Sequence, residues 1–153
     1  MTLAEIEADP VAVISTIRAG EPFLQWGGFF NLPFERKRLG EEEADARLIR
    51  FRAEMTNPWC IRQMLDAARF IDQSPKTKGI NHRRSTYGWK HVVERHNKLH
   101  RPEGDYYVGE GMFIAAAAAL GLTIWRDRGI CRVNLSQKAA DQKRWQAMAE
   151  ADG

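Results

Sequence analysis

The sequence predicts a mainly α-helical (α+β) protein, with a helical N-terminal module over residues 1–75 and a C-terminal module over residues 76–153. Apolar residues recur at helical spacing through most of the chain, and two helix starts carry a cap residue followed by proline. The period changes to that of strands only within residues 122–135. The polar stretch DQSPKTKG, residues 72–79, interrupts the pattern, and we predict the module boundary there.

Three helices are predicted in the N-terminal module. Two begin at Asp9-Pro10 and Asn57-Pro58, where a capping side chain precedes a proline at the first helical position. The first should end at Gly20. The third covers residues 41–55 and carries two outward i,i+4 ion pairs, Glu43–Arg47 and Arg50–Glu54. The side chains predicted to face the core are Val11, Ile14 and Ile17; Ala44, Leu48, Phe51 and Met55; and Ile61, Met64, Leu65, Ala68 and Ile71.

Residues 23–34 predict a loop or a short irregular hairpin, because Gly27-Gly28 lies among aromatic residues bracketed by Pro22 and Pro33. Five aromatic side chains fall in this segment: Phe23, Trp26, Phe29, Phe30 and Phe34. We expect them to fill the core. If they are exposed, the alternative is that they stack on bases or dock a partner protein.

The C-terminal module begins with a helix capped by Ser85 and running to about Asn97. Its predicted buried face consists of Trp89, Val92, Val93 and His96, and its predicted outward side chains are Lys90, His91, Glu94, Arg95 and Lys98. The next helix, over residues 109–120, is apolar nearly all round and is therefore predicted to be buried. A β-hairpin follows around Arg126-Asp127-Arg128-Gly129, and Ser136 is predicted to cap a last helix through Trp145 to about Ala149.

Positive charge is concentrated in one segment. Residues 76–101 carry eight Lys/Arg against one acid, Glu94, and all four histidines, although the net charge of the chain is only +3. A local field of one sign favours an anionic partner, and phosphate is the commonest; the alternative is a solvated basic surface. The predicted nucleic-acid-binding residues are Lys76, Lys78, His82, Arg83, Arg84, Lys90, Arg95, Lys98, Arg101, Arg126 and Arg128.

The basic helix, the buried helix and the hairpin together are similar to a helix–turn–helix with a wing, whose tip would carry Arg126 and Arg128. Residues 81–87 place two arginines and small hydrogen-bond donors at a helix N-terminus, which suits a phosphate. The second helix offers no polar side chain to read bases. Contacts with the backbone or shape of the nucleic acid are therefore expected rather than base readout.

Catalytic and metal-binding patterns are not found in the sequence. No nucleophile elbow, P-loop or dinucleotide-binding glycine motif occurs, so no catalytic residue and no cofactor are predicted. His96 and His100 are four apart, but the cations around them disfavour a metal ion. Cys60 and Cys131 are expected to be buried, reduced thiols. The longest apolar run, residues 112–120, is too short to span a membrane, so we expect a soluble, cytoplasmic protein without a membrane partner.

Residues 82–135 resemble a pattern in small uncharacterised accessory proteins of bacterial phages and integrative elements. Three stretches carry the resemblance: HRRSTYGWKHVVE, YYVGEGMFIAAAAALGL and, after the hairpin, NLS. The pattern there is S-Y-x-L-K-H and then Y-V-x-N-G-x-F-I-x-A-A-x-x-x-G; Trp89 replaces the Leu here, and Glu110 replaces the Asn. The resemblance covers about one third of the chain and carries no catalytic residues across. It implies a mobile-element setting, in which anti-CRISPR proteins are one class.

Three functional hypotheses follow. The first is a non-enzymatic accessory protein of a phage or mobile element that binds nucleic acid through residues 76–101. The second is a protein-interaction inhibitor of a host defence nucleoprotein complex, similar to an anti-CRISPR protein. The third is an enzyme with an unrecognised site, which a pocket shared by His82, His91 and Tyr107 would favour.

Overall fold

The structure, a computed structural model, describes residues 1–152 and confirms a mainly α-helical fold with two short antiparallel hairpins. The helices are α1 (Leu3–Ala8), α2 (Pro10–Gly20), α3 (Leu32–Leu39), α4 (Glu41–Glu54), α5 (Pro58–Asp72), α6 (Thr86–His100), α7 (Glu110–Ala119) and α8 (Gln142–Asp152). The strands are β1 (Leu24–Gln25), β2 (Gly28–Phe29), β3 (Ile124–Asp127) and β4 (Ile130–Val133).

Three helix starts lie where the capping residues predict them. The side chains of Asp9, Asn57 and Ser85 accept hydrogen bonds from backbone N–H groups three residues later, at 3.1, 2.8 and 3.2 Å. Each cap satisfies one of the N–H groups that a helix leaves without an internal partner. Helix α6 continues three residues beyond its predicted end, to His100.

Two helices were not predicted, although each carries a recognisable start. Thr2 and Glu5 form a capping box at the start of α1. Asn31 caps α3 by accepting from Phe34 N at 3.2 Å, with Pro33 in the first turn. The hairpin predicted within residues 23–34 is therefore confirmed as β1–β2, but the end of that segment is helical.

Helix α7 lies at the centre of the molecule and packs against α5, α6, α2 and the β1–β2 hairpin. It is buried nearly all round, as predicted. One cluster of buried side chains joins Ile14 and Met64 from the first half of the chain to Met112 and Trp145 from the second. The two predicted modules thus pack on each other around a shared core.

The start of α7 depends on glycine. Gly111 N donates to Trp26 O at 3.0 Å, and a Cβ on Gly111 would lie 1.7 Å from Gln25 O. A Cβ on Gly109 would likewise lie 2.4 Å from Trp26 O. The residues Gly109-Glu110-Gly111 therefore let the β1–β2 hairpin approach the helix backbone closely.

The β3–β4 hairpin has a two-residue turn, Arg128-Gly129, with Asp127 opposite Ile130. Both turn residues have positive φ, 49° and 81°, which is the conformation that matches the twist of the flanking strands. The segment predicted as a module boundary runs along the extension of β4, because Lys76 bridges to Leu135 and Thr77 N donates to Asn134 O at 2.8 Å.

Several predicted side-chain positions were wrong. Val11 is exposed, and Val13 takes its place in the core beside Ile14, because α2 packs on α7 along a different face. Ser136 caps a 3₁₀ turn, Gln137–Ala140, so the last helix begins only after Asp141.

Lys90 and Glu94 were predicted to point outward, and this was also wrong. They are only 6% and 8% exposed. The chain after α6 folds back over them, and Glu94 Oε2 accepts from Val108 N at 3.1 Å. A contact so distant along the chain leaves no mark on the local helical period.

The pair α6 and α7 differs from a DNA-binding helix–turn–helix in two respects. Residues 101–109 connect the two helices, whereas a helix–turn–helix uses a turn of three or four residues. The second helix is buried and presents no face to a groove. Within residues 1–152, no helix combines the length and the apolar character needed to cross a membrane.

Candidate nucleic-acid interface

The basic loop before α6, residues 76–84, is fixed to the extension of β4 by Asn81. Asn81 N donates to Val133 O at 3.0 Å, and its Nδ2 donates to Leu135 O and to Gln137 Oε1, each at 2.9 Å. Its Oδ1 accepts from Arg83 N at 3.0 Å. Four hydrogen bonds at one residue set the direction in which the neighbouring His82 and Arg83 leave the backbone.

An open groove of about 480 Å³ runs along this loop. Its lining residues are Thr77, Gly79, Ile80, Asn81, His82, Arg83 and Gln137. His82 and Arg83 were predicted as contacts with nucleic acid, and both are exposed at the groove. The remaining lining groups are small or neutral, so the charge of the groove is positive.

His82 also belongs to a cluster on the β3–β4 hairpin. Its ring meets the ring of Trp125 edge-on, with centroids 5.3 Å apart. Arg132 lies opposite Trp125 in the hairpin, with its guanidinium carbon 5.3 Å from the centroid of the Trp125 ring. Arg132 Nη1 is 3.4 Å from His82 Nδ1, and donates to it when that nitrogen is unprotonated. The hairpin therefore places a cation beside His82 at the border of the groove.

Arg84 behaves differently from Arg83, because it is half-buried. Its guanidinium lies over the Trp89 ring at 5.1 Å, and its aliphatic part covers Gly88. Burial, and then the charge of Arg95, lower the pKa of Arg84.

The basic surface consists of cations that remain available to an anion. Among the side chains of residues 1–150, no carboxylate forms an ion pair with Lys78, Arg83, Arg84, Arg95, Lys98, Arg128 or Arg132. Arg128 lies at the hairpin turn, and Arg95 and Lys98 are exposed along α6. We call Lys78, His82, Arg83 and Arg132 the loop cluster.

Three predicted contacts are already neutralised. Lys90 Nζ donates to Glu94 Oε2 at 3.2 Å in the protein interior, so Lys90 does not belong to the surface. Arg101 Nη2 pairs with Asp66 at 2.7 Å. Arg126 pairs with Glu21 at 2.9 Å and lies 3.5 Å above the Phe29 ring. Arg126 thus fastens the hairpin to the N-terminal half.

Lys76 lies at the border of the surface. Its Nζ donates to Asp72 O at 3.1 Å, which holds the side chain back along the end of α5. Burial lowers the pKa of Lys76, and the nearby charge of Asp72 opposes that effect.

Of the remaining histidines of the basic segment, His96 and His100 line one pocket with ring centroids 4.4 Å apart, and His91 is not part of that pocket. His96 packs edge-on against Phe70 and Trp145, and its Nε2 lies 3.3 Å from Gln73 Nε2. Burial, and then the charge of His100, lower the pKa of His96 to about 4. His91 Nδ1 lies 2.8 Å from Glu94 Oε1.

The ligands expected of a metal site are not assembled in the part of the chain that the structure describes. Within it, no three His, Cys, Asp or Glu side chains are placed to hold a metal ion. Cys60 and Cys131 are both free and buried, as predicted, and burial raises the pKa of the Cys60 thiol to about 11.

Sequence reasoning missed Arg132 and Trp125. Both lie in predicted strands, and counting outward from the Arg128-Gly129 turn pairs them across the hairpin. That register was available from the sequence. The position of His82 beside them was not, because it depends on the hydrogen bonds of Asn81 to residues more than fifty positions away.

The chain matches no protein-family model, no curated protein and no solved structure in the comparisons made.

Proposed function

We propose that this protein binds nucleic acid through the sugar–phosphate backbone, using the loop cluster and the exposed cations of α6. The observation that carries the proposal is the open groove lined by His82 and Arg83 on a loop whose backbone Asn81 fixes, with no described carboxylate paired to Arg83. Because the loop backbone is already fixed, less conformational freedom is lost when these side chains meet a phosphate, and each contact releases condensed counterions.

Backbone contact is favoured over base readout. The buried α7 offers no side chain to a groove of the duplex, and the available cations lie on a loop, a hairpin and the outer side of α6. Such contacts set affinity and orientation but carry no direct sequence information. We therefore propose binding that tolerates different sequences and weakens steeply with salt. We further propose a cytoplasmic location and, as the resemblance implies, the setting of a phage or integrative element.

The test compares two variants that lose the same charge. In the first, Lys78→Ala and Arg83→Ala remove two exposed cations of the loop cluster. In the second, Lys37→Ala and Arg50→Ala remove two exposed cations from α3 and α4. Fluorescence anisotropy with a labelled duplex of random sequence measures the affinity of each, and circular dichroism confirms that each is folded.

Wild-type protein should bind with a Kd of about 1–100 µM at physiological salt, as non-specific DNA binders do. The loop variant should bind at least about tenfold more weakly at ~0.1 M salt, because two phosphate contacts are lost. The α3–α4 variant should bind nearly as well as wild type. No binding by wild type at low salt, or equal losses in the two variants, would refute the proposal.

The second candidate function is inhibition of a host nucleoprotein complex by protein–protein contact, similar to an anti-CRISPR protein. Exposed apolar side chains in the first half of the chain, Phe23, Phe34 and Ile49, favour it. This candidate predicts that the protein binds a protein complex but no free nucleic acid. Alanine at Phe34 or Ile49 would then reduce that binding, whereas the loop variant would not.

A further inference from the structure

A second surface joins aromatic rings to cations on the side of α6 where the connection to α7 crosses it. Trp59 and Tyr107 are stacked, with ring centroids 5.4 Å apart and planes inclined by 7°. Trp59 is 43% exposed although its other side meets Trp26 at 6.0 Å. The buried Lys90 ammonium lies 4.4 Å from the centroid of Tyr107 and 5.6 Å from that of Tyr87. A cation beneath the rings holds both in place.

The exposed side of α6 continues this surface. Tyr87 is 57% exposed and meets the His91 ring edge-on at 4.7 Å. Lys98 follows eleven residues after Tyr87, on nearly the same side of the helix and about 16 Å along its axis. Its Nζ lies 5.5 Å from the ring of Tyr106, which is 43% exposed. Arg95 lies between Tyr87 and Lys98 along α6, and it is exposed and forms no ion pair with any described carboxylate.

The acidic groups near this face are largely committed to other contacts. Glu94 is buried and accepts from Lys90 and from Val108 N. Asp105 accepts from Trp59 Nε1 at 2.8 Å and lies 3.6 Å from Arg62. Glu103 is exposed in the connecting loop. The accessible charge along α6 is therefore positive, and it is interleaved with rings.

We propose that this face binds single-stranded nucleic acid by stacking unpaired bases on Tyr87 and Tyr106, while Arg95 and Lys98 contact the phosphates. The inference rests on the proposed function and names its preferred substrate class. Duplex bases present only their edges, so exposed rings add affinity only when bases are unpaired.

The test uses labelled thymidine oligonucleotides of about 15 nucleotides, within the range of site sizes known for single-strand binders. Tyr87→Ala removes a ring that meets His91 and Lys90 on α6, and Tyr87→Phe keeps the ring without its hydroxyl. Tyr106→Ala tests a second ring in the connecting loop. Phe34→Ala is the matched control, because Phe34 is an exposed ring on α3. Anisotropy is measured for the oligonucleotide and for a duplex.

Tyr87→Ala and Tyr106→Ala should each weaken single-strand binding by about 5- to 100-fold, the range for losing one stacked base. Duplex binding should change less than about twofold, and Tyr87→Phe and Phe34→Ala should bind the oligonucleotide as wild type does. Equal affinity of Tyr87→Ala and wild type for the oligonucleotide, with duplex binding intact, would overturn this inference and leave the proposed function standing. Binding of neither ligand by wild type would overturn both.

Discussion

Replacing Lys90 by alanine separates a structural lysine from a ligand-binding one. Lys90 is 6% exposed, and its ammonium neutralises the buried carboxylate of Glu94. Removal of one member of a buried ion pair costs about 3–5 kcal/mol, because the other charge stays buried without its partner. Glu94 keeps two further contacts, with His91 Nδ1 at 2.8 Å and Val108 N at 3.1 Å. We therefore expect a loss of about 2–4 kcal/mol in the free energy of unfolding.

The assay is thermal unfolding followed by circular dichroism, with affinity for nucleic acid measured on the same samples below the transition. A loss of that size lowers the Tm by about 4–16 °C in a chain of this length. The double variant Lys90→Met with Glu94→Gln removes both charges and should recover most of the stability. Wild-type stability together with weakened binding in Lys90→Ala would refute the buried pair and restore the surface role that the sequence predicts.

Three further predictions concern packing and pH. Gly111→Ala should lower stability by about 1–3 kcal/mol, because the new Cβ would lie 1.7 Å from Gln25 O and overpacking outweighs the helix propensity of alanine. Gly20→Ala is the control, because a Cβ there has open space, and it should leave the Tm unchanged or slightly raised. Equal Tm gains in both variants would contradict the close approach of the hairpin to α7. Trp89→Ala should cost about 3–5 kcal/mol in chemical unfolding because its ring is fully buried, and a neutral effect would mean that α6 faces the other way. The pKa of His96 is lowered to about 4 in the folded state, so the unfolded chain binds a proton at this histidine first as the pH drops. The free energy of unfolding should therefore fall between about pH 6.5 and pH 4. His96→Gln should flatten that part of the pH–stability profile, and an unchanged profile would contradict the lowered pKa.

Local signals in the sequence were sufficient for much of the fold. The caps at Asp9, Asn57 and Ser85 bind N–H groups only three residues later. Each helix start can therefore be predicted from a few neighbouring residues in the sequence. The all-round apolar character of residues 110–119 likewise predicts burial without any knowledge of neighbours. The β3–β4 hairpin followed from the change of period, although its predicted loop, residues 126–129, is two residues longer than the observed turn.

The candidate site was predicted less completely, because it depends on contacts between distant segments. Lys90 has the same local surroundings as an exposed helical lysine, and only the return of the chain at Val108 buries it. Arg126 was predicted at a free hairpin tip, but the turn begins two residues later, at Arg128, and Arg126 lies in β3, where it pairs with Glu21. Arg132 joined the surface through His82, which the hydrogen bonds of Asn81 bring to the hairpin.

The salt dependence of binding tests the central claim most directly. The affinity of wild-type protein and of the Lys78→Ala, Arg83→Ala variant for random duplex is measured over a series of salt concentrations. The proposed backbone contacts predict a linear fall of log K with log salt, and a slope that is shallower by about two in the variant, because two phosphates are no longer neutralised. An unchanged slope in the variant, or affinity that does not depend on salt, would contradict a phosphate-binding role for the loop cluster.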